Sequence, residues 1–302
     1  MEVGSEYKRQ EDISSRNSPD ELYDPSYGTL SGYNFETKQM FTRYLKQSYQ
    51  RFENDSGPQY VMVRGVDKEV LAWMDNRRRT LPPMRVFYDE IFKNLIVKLV
   101  SSYHEILHQN LMNAITAELQ NMGITMQYYA VQGAGRVRGQ NSREKEPDNS
   151  FRPINTRPKF SDLPTFVIEV GVSKTLNNPR NDAFFWLTQT NDRVKIVLLI
   201  HSSRDHSIAT RPLVITMEVW QTINNPRPHR ANSAARPRIP VRTQTVTITR
   251  QGNGPPVTTG APLLLPVNVL FESVPPFVTQ SDVSLPAVVL EMYANIIFNS
   301  LP

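Results

Sequence analysis

The chain has 302 residues, 34 Lys+Arg against 29 Asp+Glu for a net charge of +5, 39% hydrophobic residues and no cysteine. At roughly 150 residues per domain this is one large domain or two small ones, with enough apolar content to exclude wholesale disorder. The lack of Cys excludes disulfides, Cys-based zinc sites, iron–sulfur clusters and a thiol nucleophile. No apolar run approaches the ~18–20 residues of a membrane span. Met1–Gln10 is polar and charged, unlike a secretory signal. The expectation is an intracellular protein, nuclear or cytoplasmic, without a membrane segment.

In chain order, residues 1–57 are rich in Ser, Asn, Asp, Tyr and Gly, and residues 1–56 carry 7 basic and 10 acidic groups. They read as a disordered or loosely docked tail, with room for a short helix at Thr37–Phe52. Residues 58–302 read as one domain. Tyr60–Asn76 suits a strand or short helix, and the break at Pro82-Pro83 follows the basic triplet Arg77–Arg79. From Val86 to Met122, apolar residues recur three to five apart, which predicts a long helix closed by Gly123. Ile124–Val131 reads as a strand, and Gly133–Gly139 as a turn. Thr165–Val172 is a β-branched, largely apolar central strand. Asn178–Gln189 suits a helix with Pro179 in its first turn. Val194–Ile200 is a buried strand, and Leu213–Trp220 and Thr243–Arg250 are further strands joined by a Pro/Arg loop. Residues 204–250 hold 8 Arg, no Lys and 2 acids, a composition suited to phosphate or to a solvated loop. Thr258–Pro302 is punctuated by proline, with short apolar pieces such as Leu263–Phe271. No internal repeat is present. The order is that of an α/β protein with a mixed central sheet flanked by helices and extra C-terminal strands.

Glu169 stands in the middle of the apolar strand, where a carboxylate is costly unless paired or metal-bound. Pro147-Asp148 precedes another candidate strand. Convergence of Asp148 and Glu169, with the Val170 carbonyl, would give the oxygen ligands that Mg²⁺ or Mn²⁺ prefers; a salt bridge from Glu169 to an Arg is the alternative.

Four blocks carry a resemblance: Pro147-Asp-Asn-Ser-Phe151, Phe166-Val-Ile-Glu-Val-Gly-Val-Ser173, Asn181-Asp-Ala-Phe-Phe-Trp-Leu187 and Val194-Lys-Ile-Val-Leu-Leu-Ile200. In this order they resemble the PD-(D/E)XK nuclease superfamily, in particular a branch common among fungal predicted proteins. The resemblance runs over about Val61–Phe271. It implies a restriction-endonuclease-like core and a metal-dependent nuclease, acting on DNA rather than RNA, with pairing into a homodimer as in many such nucleases. It also implies that Asp148 and Glu169 hold Mg²⁺ or Mn²⁺, which activates water and neutralises charge on the phosphate.

The sequence departs from the motif at Gly171, where the lysine belongs. Arg180, at the start of the next helix, is the preferred substitute, with Lys174 and Lys195 as other candidates and Ser173 as a polar accessory. Arg136, Arg138 and Arg152 are the candidate phosphate contacts. The missing lysine keeps a second reading open, a catalytically degenerate module that binds nucleic acid or protein. Glu90 and Glu105 read as exposed helical acids, although the family's first helix sometimes adds an acid to the site.

A competing motif is His104-Glu105-Ile106-Leu107-His108, the zinc-peptidase pattern, whose two histidines share a helix face. Its third ligand would have to be Glu118, about ten residues along the same helix, or a remote group. Without one, the two histidines read as borders of the helix core stripe. Gly133-Ala-Gly135 is followed by no Gly-Lys-Ser/Thr and is not a Walker loop.

Overall fold

The computed structural model describes residues 30, 32–172, 177–202, 213–225 and 237–300. Two sheets carry the fold. One has six strands: β1 (Gly32–Asn34), β2 (Tyr60–Arg64), β3 (Met84–Asp89), β4 (Asn94–Leu99), β6 (Val137–Arg138) and β7 (Arg143–Lys145), in the order β1-β2-β4-β3-β7-β6. The other has seven: β5 (Tyr129–Val131), β8 (Asn149–Pro153), β9 (Phe166–Gly171), β10 (Ile196–Ser202), β11 (Leu213–Asn224), β12 (Arg238–Arg250) and β13 (Val257–Thr259), in the order β13-β12-β11-β10-β9-β8-β5. A two-stranded sheet pairs β14 (Leu263–Pro266) with β15 (Asp282–Leu285). The helices are α1 (Lys38–Glu53), α2 (Lys68–Asn76), α3 (Ser102–Asn121), α4 (Asn177–Thr188), α5 (Val267–Phe271) and α6 (Ala287–Asn299). The α/β class with a mixed sheet and extra C-terminal strands stands as expected.

Within the seven-stranded sheet, β5, β8 and β9 run antiparallel in turn, and β10 returns parallel to β9 after α4. β9 is buried along its whole length, as its near-continuous β-branched run requires. Its two faces look into different cores. Ile168 and Val170 join the larger core with Leu111 and Ile115 of α3. Val167 lies on the face of Glu169 and joins a smaller core with Phe184–Leu187 of α4 and with Tyr60, Met62, Phe87 and Ile96 of the six-stranded sheet.

The long helix expected over Val86–Met122 is corrected. Its first part is the β3–β4 hairpin, and only Ser102–Asn121 is helical. A spacing of three to five does not separate a helix from two strands, while Val86-Phe-Tyr and Leu95-Ile-Val suit a pleat better than a helix. The Asp89 side chain accepts from the Phe92 amide and Lys93 takes φ +51°, closing the turn. Ser101 then starts α3 as N-cap, accepting from the His104 amide. The boundary drawn at residue 57 also cuts through packed structure. β1 pairs with β2, and Phe41, Leu45 and Phe52 of α1 are buried in the larger core. Tyr60–Asn76 forms both a strand and a helix. The predicted strand Ile124–Val131 shortens to β5. In the proline-rich C-terminal part, α6 packs Leu290, Tyr293 and Ile297 into the core, a helix its short apolar pieces did not announce. No described helix is long and apolar enough to cross a membrane.

Candidate functional site: a buried ionic cluster between the two sheets

Asp148 and Glu169 converge, as expected of them. Both are fully enclosed, and one ammonium group joins them: Lys98 Nζ donates to Asp148 Oδ2 and, at 2.6 Å, to Glu169 Oε2. Lys98 comes from β4, where cross-strand register explains its aim. Tyr60, Lys98 and Arg85 are direct partners across β2, β4 and β3, so their side chains form one row on one face of the sheet. That row meets the acids of the other sheet. The Tyr60 hydroxyl donates to Asp182 Oδ2 at 2.8 Å, and Arg85 Nε lies 3.8 Å from Asp148 Oδ1. Lys145 of β7 lies 2.5 Å from Asp182 Oδ1 and 3.7 Å from Glu169 Oε1.

The acids are also fixed by neutral donors. The Val170 amide donates to Asp148 Oδ2 at 2.7 Å, and Trp186 Nε1 donates to Glu169 Oε1 at 2.6 Å. Trp186 projects from α4, so the aromatic of the Asn181–Leu187 block orients the acid of the Phe166–Ser173 block. Asp148 Oδ1 is buried and makes no hydrogen bond. Three carboxylates thus face two ammonium groups, with the Arg85 guanidinium at their border.

The two principal acids are held in opposite protonation regimes. Burial works to raise both. At Asp148, His104, Lys98 and Arg85 outweigh it and hold the carboxyl well below the usual range. At Glu169, burial prevails over Lys98 and Lys145, with Asp182 and Asp148 adding to it, and the carboxyl is pushed up to about 7. Burial works against the charge of Lys98, but Asp148, Glu169 and Asp182 raise its pKa above the ordinary lysine value, so it stays charged.

Beside this cluster lies His104-Glu105-x-x-His108. His104 Nε2 is 3.1 Å from Asp148 Oδ2. Glu105 Oε2 lies 3.0 Å from His108 Nε2, and Glu105 Oε1 accepts from Arg85 at 2.7 Å. Burial raises the Glu105 carboxyl, but His104, His108 and Arg85 prevail and lower it far below its ordinary value. Glu105, at 30% side-chain exposure, and Arg85, at 17%, are the cluster members nearest to solvent. The expectation of Glu105 as a plain exposed helical acid is therefore corrected, while Glu90 pairs with Lys68 at the surface.

Several other expected residues lie elsewhere. Arg180, expected as the substitute for the missing lysine, is engaged elsewhere. It pairs with Glu218 of β11 at 2.5 Å, beside Arg242 at 2.8 Å and Trp220 at 2.9 Å, while its neighbour Pro179 packs against Gly171 of β9. Lys195 precedes β10 and pairs with Asp192 at 3.0 Å. Ser173 and Lys174 lie outside the described residues. Arg152 is buried and donates to the Arg157 carbonyl, so it is no surface phosphate contact. Arg136 is engaged by Asp75 and Glu146 at 2.6 and 2.8 Å. Arg138 is 86% exposed on its side chain and pairs with Glu144 at 3.2 Å. With Arg136, Ser150 and the 96%-exposed Phe160, it lines a groove of about 470 Å³.

Lys98, Lys145, Asp182 and His104 complete the cluster without having been assigned to it from the sequence. A signal for Lys98 existed: Leu95-Ile-Val-Lys-Leu99 places a charge inside an apolar strand, as Phe166–Gly171 does for Glu169. Assigning that stretch to a helix hid it. No family model matches the chain, and no curated protein matches it.

Proposed function

We propose that the chain is a divalent-metal-dependent nuclease with a restriction-endonuclease-like core, hydrolysing phosphodiester bonds of DNA. The observation that carries this reading is the convergence of Asp148 and Glu169 on one cation position, in a chain run from α3 to β10 where β5, β8 and β9 of the seven-stranded sheet precede α4 and the β6–β7 pair of the other sheet is inserted between β5 and β8. The donor set fits Mg²⁺ or Mn²⁺: one carboxylate immediately before β8 and one on the adjacent β9, a buried Asp148 Oδ1 without a hydrogen bond, and the neighbouring Val170 carbonyl. Such an ion supplies an acidified water and charge neutralisation at the phosphate. The protein's own part is orientation. Val170 and Trp186 fix the two carboxylates, and Lys98, whose ammonium stands between them in this structure, would turn aside from the ion to provide the positive group that Gly171 does not. The groove at Arg138 and Phe160 supplies a cation and a stacking face for a nucleic-acid strand.

Enclosure favours a second reading. Asp148 and Glu169 are shut off from solvent and Lys98 is 4% exposed on its side chain, so phosphate reaches the acids only if the Arg85–Glu105 side opens. Without such opening the cluster is an ionic tie between the sheets, and the protein is a binding module without catalysis.

The test is cleavage of labelled single- and double-stranded DNA and RNA with Mg²⁺ or Mn²⁺, with Asp148→Asn, Glu169→Gln and EDTA as controls. Metal-dependent cleavage lost in both variants supports the nuclease. DNA binding without cleavage, insensitive to EDTA and weakened about tenfold in Arg138→Ala/Phe160→Ala, supports the module. Neither cleavage nor binding overturns both.

A further inference from the structure

The His104-Glu105-x-x-His108 motif is left unused by the acid-pair chemistry, and its geometry does not suit a peptidase. In that chemistry the Glu is a free general base beside an open metal position. Here Glu105 is shared between His108 and Arg85, and His104 is fully enclosed. Glu118, the intrahelical candidate for a third ligand, pairs with Asn121 at the far end of α3.

The three side chains converge in another way. One ligand atom from each of His104, Glu105 and His108 lies within 4.8 Å of the others. Neither ring nitrogen of the wholly buried His104 makes a hydrogen bond, although Nδ1 lies 3.8 Å from Glu105 Oε1. A buried Nδ1 with no polar atom in hydrogen-bond range carries a desolvation cost that a ligand would remove. Beyond the cluster stands a group of the kind that ordinarily supports a metal-bound histidine: Asp148 Oδ2 is 3.1 Å from His104 Nε2. The Asn149 side-chain NH2 faces His108 Nδ1 at 3.4 Å while its oxygen accepts from the Ser150 amide, so ligation through His108 Nε2 requires the Asn149 side-chain amide to turn over. A carboxylate on the outer nitrogen fixes the tautomer that leaves the inner one free to bind. Glu105 is part-exposed, which gives a cation a way in.

We propose that His104, Glu105 and His108 form a site for a borderline divalent transition metal, of the Zn²⁺ or Co²⁺ class, in which Asp148 orients His104. Two imidazoles and one carboxylate select such an ion over Mg²⁺ and Ca²⁺, which prefer all-oxygen shells. Glu105 Oε2 and His108 Nε2, now 3.0 Å apart, would hold the ion between them, while Glu105 Oε1 keeps its bond to Arg85. This assignment does not depend on the nuclease reading. The site would be distinct from the Asp148–Glu169 cation position and joined to it through Asp148.

The test is titration of the metal-free full-length protein with Co²⁺ and Zn²⁺, read by the visible ligand-field spectrum of Co²⁺ and by the histidine ring NMR signals. One equivalent of Co²⁺ should give the absorption of a mixed N/O site, displaced by Zn²⁺. Zn²⁺ should shift two of the five histidines, assigned through His104→Gln and His108→Gln. Affinity should fall at least tenfold in His108→Gln and Glu105→Gln, and hold within threefold in Glu169→Gln. The proposal is overturned if wild type takes up no Co²⁺, if Zn²⁺ moves other histidines, or if Glu169→Gln abolishes binding while His108→Gln does not. The number of wild-type histidine signals that Zn²⁺ shifts stands even if a variant fails to fold, and their assignment then comes from triple-resonance spectra of the wild type. No arm uses catalysis, so an inactive protein that binds Zn²⁺ through these histidines would sink the nuclease reading alone.

Discussion

Replacing Lys98 by Met keeps the length of the side chain and removes its charge from between two buried carboxylates. Breaking a buried ion pair by deleting one partner costs about 3–5 kcal/mol, since the other charge is left uncompensated. Lys98 serves Asp148 and Glu169 together, which favours the upper end. Two features moderate the loss. Asp148 keeps the Val170 amide at 2.7 Å and His104 at 3.1 Å. Glu169, already pushed up to about 7 by burial, can take up a proton and shed its charge. The expected destabilisation is therefore about 3 kcal/mol at pH 6 and about 5 kcal/mol at pH 8. Urea unfolding followed by Trp fluorescence reads it. With an m-value of about 3 kcal/mol/M, the midpoint should fall by about 1 M at the lower pH and somewhat more at the higher. Adding Asp148→Asn and Glu169→Gln to Lys98→Met should recover most of the loss, because no buried charge then lacks its partner. A loss under about 1 kcal/mol at both pH values, or one that is larger at pH 6, would refute the reasoning.

Glu169→Gln should alter the pH dependence of stability in a defined sense. The folded-state pKa of Glu169 lies near 7 against an ordinary 4.5, so the folded form holds its proton where the unfolded form has released it. That contribution is fully present below about 4.5 and is lost as pH rises to 7, about 3 kcal/mol over the window. The difference between wild type and Glu169→Gln in urea midpoints from pH 4 to 8 should show this slope; a flat difference contradicts it. Arg180→Ala leaves Glu218 with Arg242 and Trp220 and should cost about 1–2 kcal/mol. The DNA cleavage rate should stay unchanged, and a rate falling with stability intact would return Arg180 to the site. In Lys98→Met, Mg²⁺ should restore part of the lost stability by mass action on the vacated cation position. A thermal melt insensitive to millimolar Mg²⁺ would count against that position binding metal.

The central strands, α4 and the need of a buried Glu169 for a partner were legible in the sequence, because each depends on local pattern. Phe166–Gly171 and Ile196–Ser202 are β-branched runs too short and too apolar for anything but buried strands, and a carboxylate inside one of them signals its own need of a partner. The hairpin at Met84–Leu99 was not legible, since spacings of three to five also occur when two alternating strands are joined by a turn. Local pattern offers only Arg180, Lys174 and Lys195, close to the strand of Glu169, whereas the cation that meets the acids is Lys98 of β4.

By itself the sequence determined the strand and helix preferences of the core, the lack of any thiol chemistry, and the presence of buried charges that had to be matched. Tertiary structure alone decided how they are matched. Tyr60, Lys98 and Arg85 stand in one row through the register of β2, β4 and β3, and the packing of that row on the other sheet brings Lys98 to Asp148 and Glu169, which lie 50 and 71 residues away. The physical reason is range. Side-chain periodicity acts over a few residues and is written along the chain, whereas the compensation of a buried charge is set by distance in space, which only the packed sheets fix.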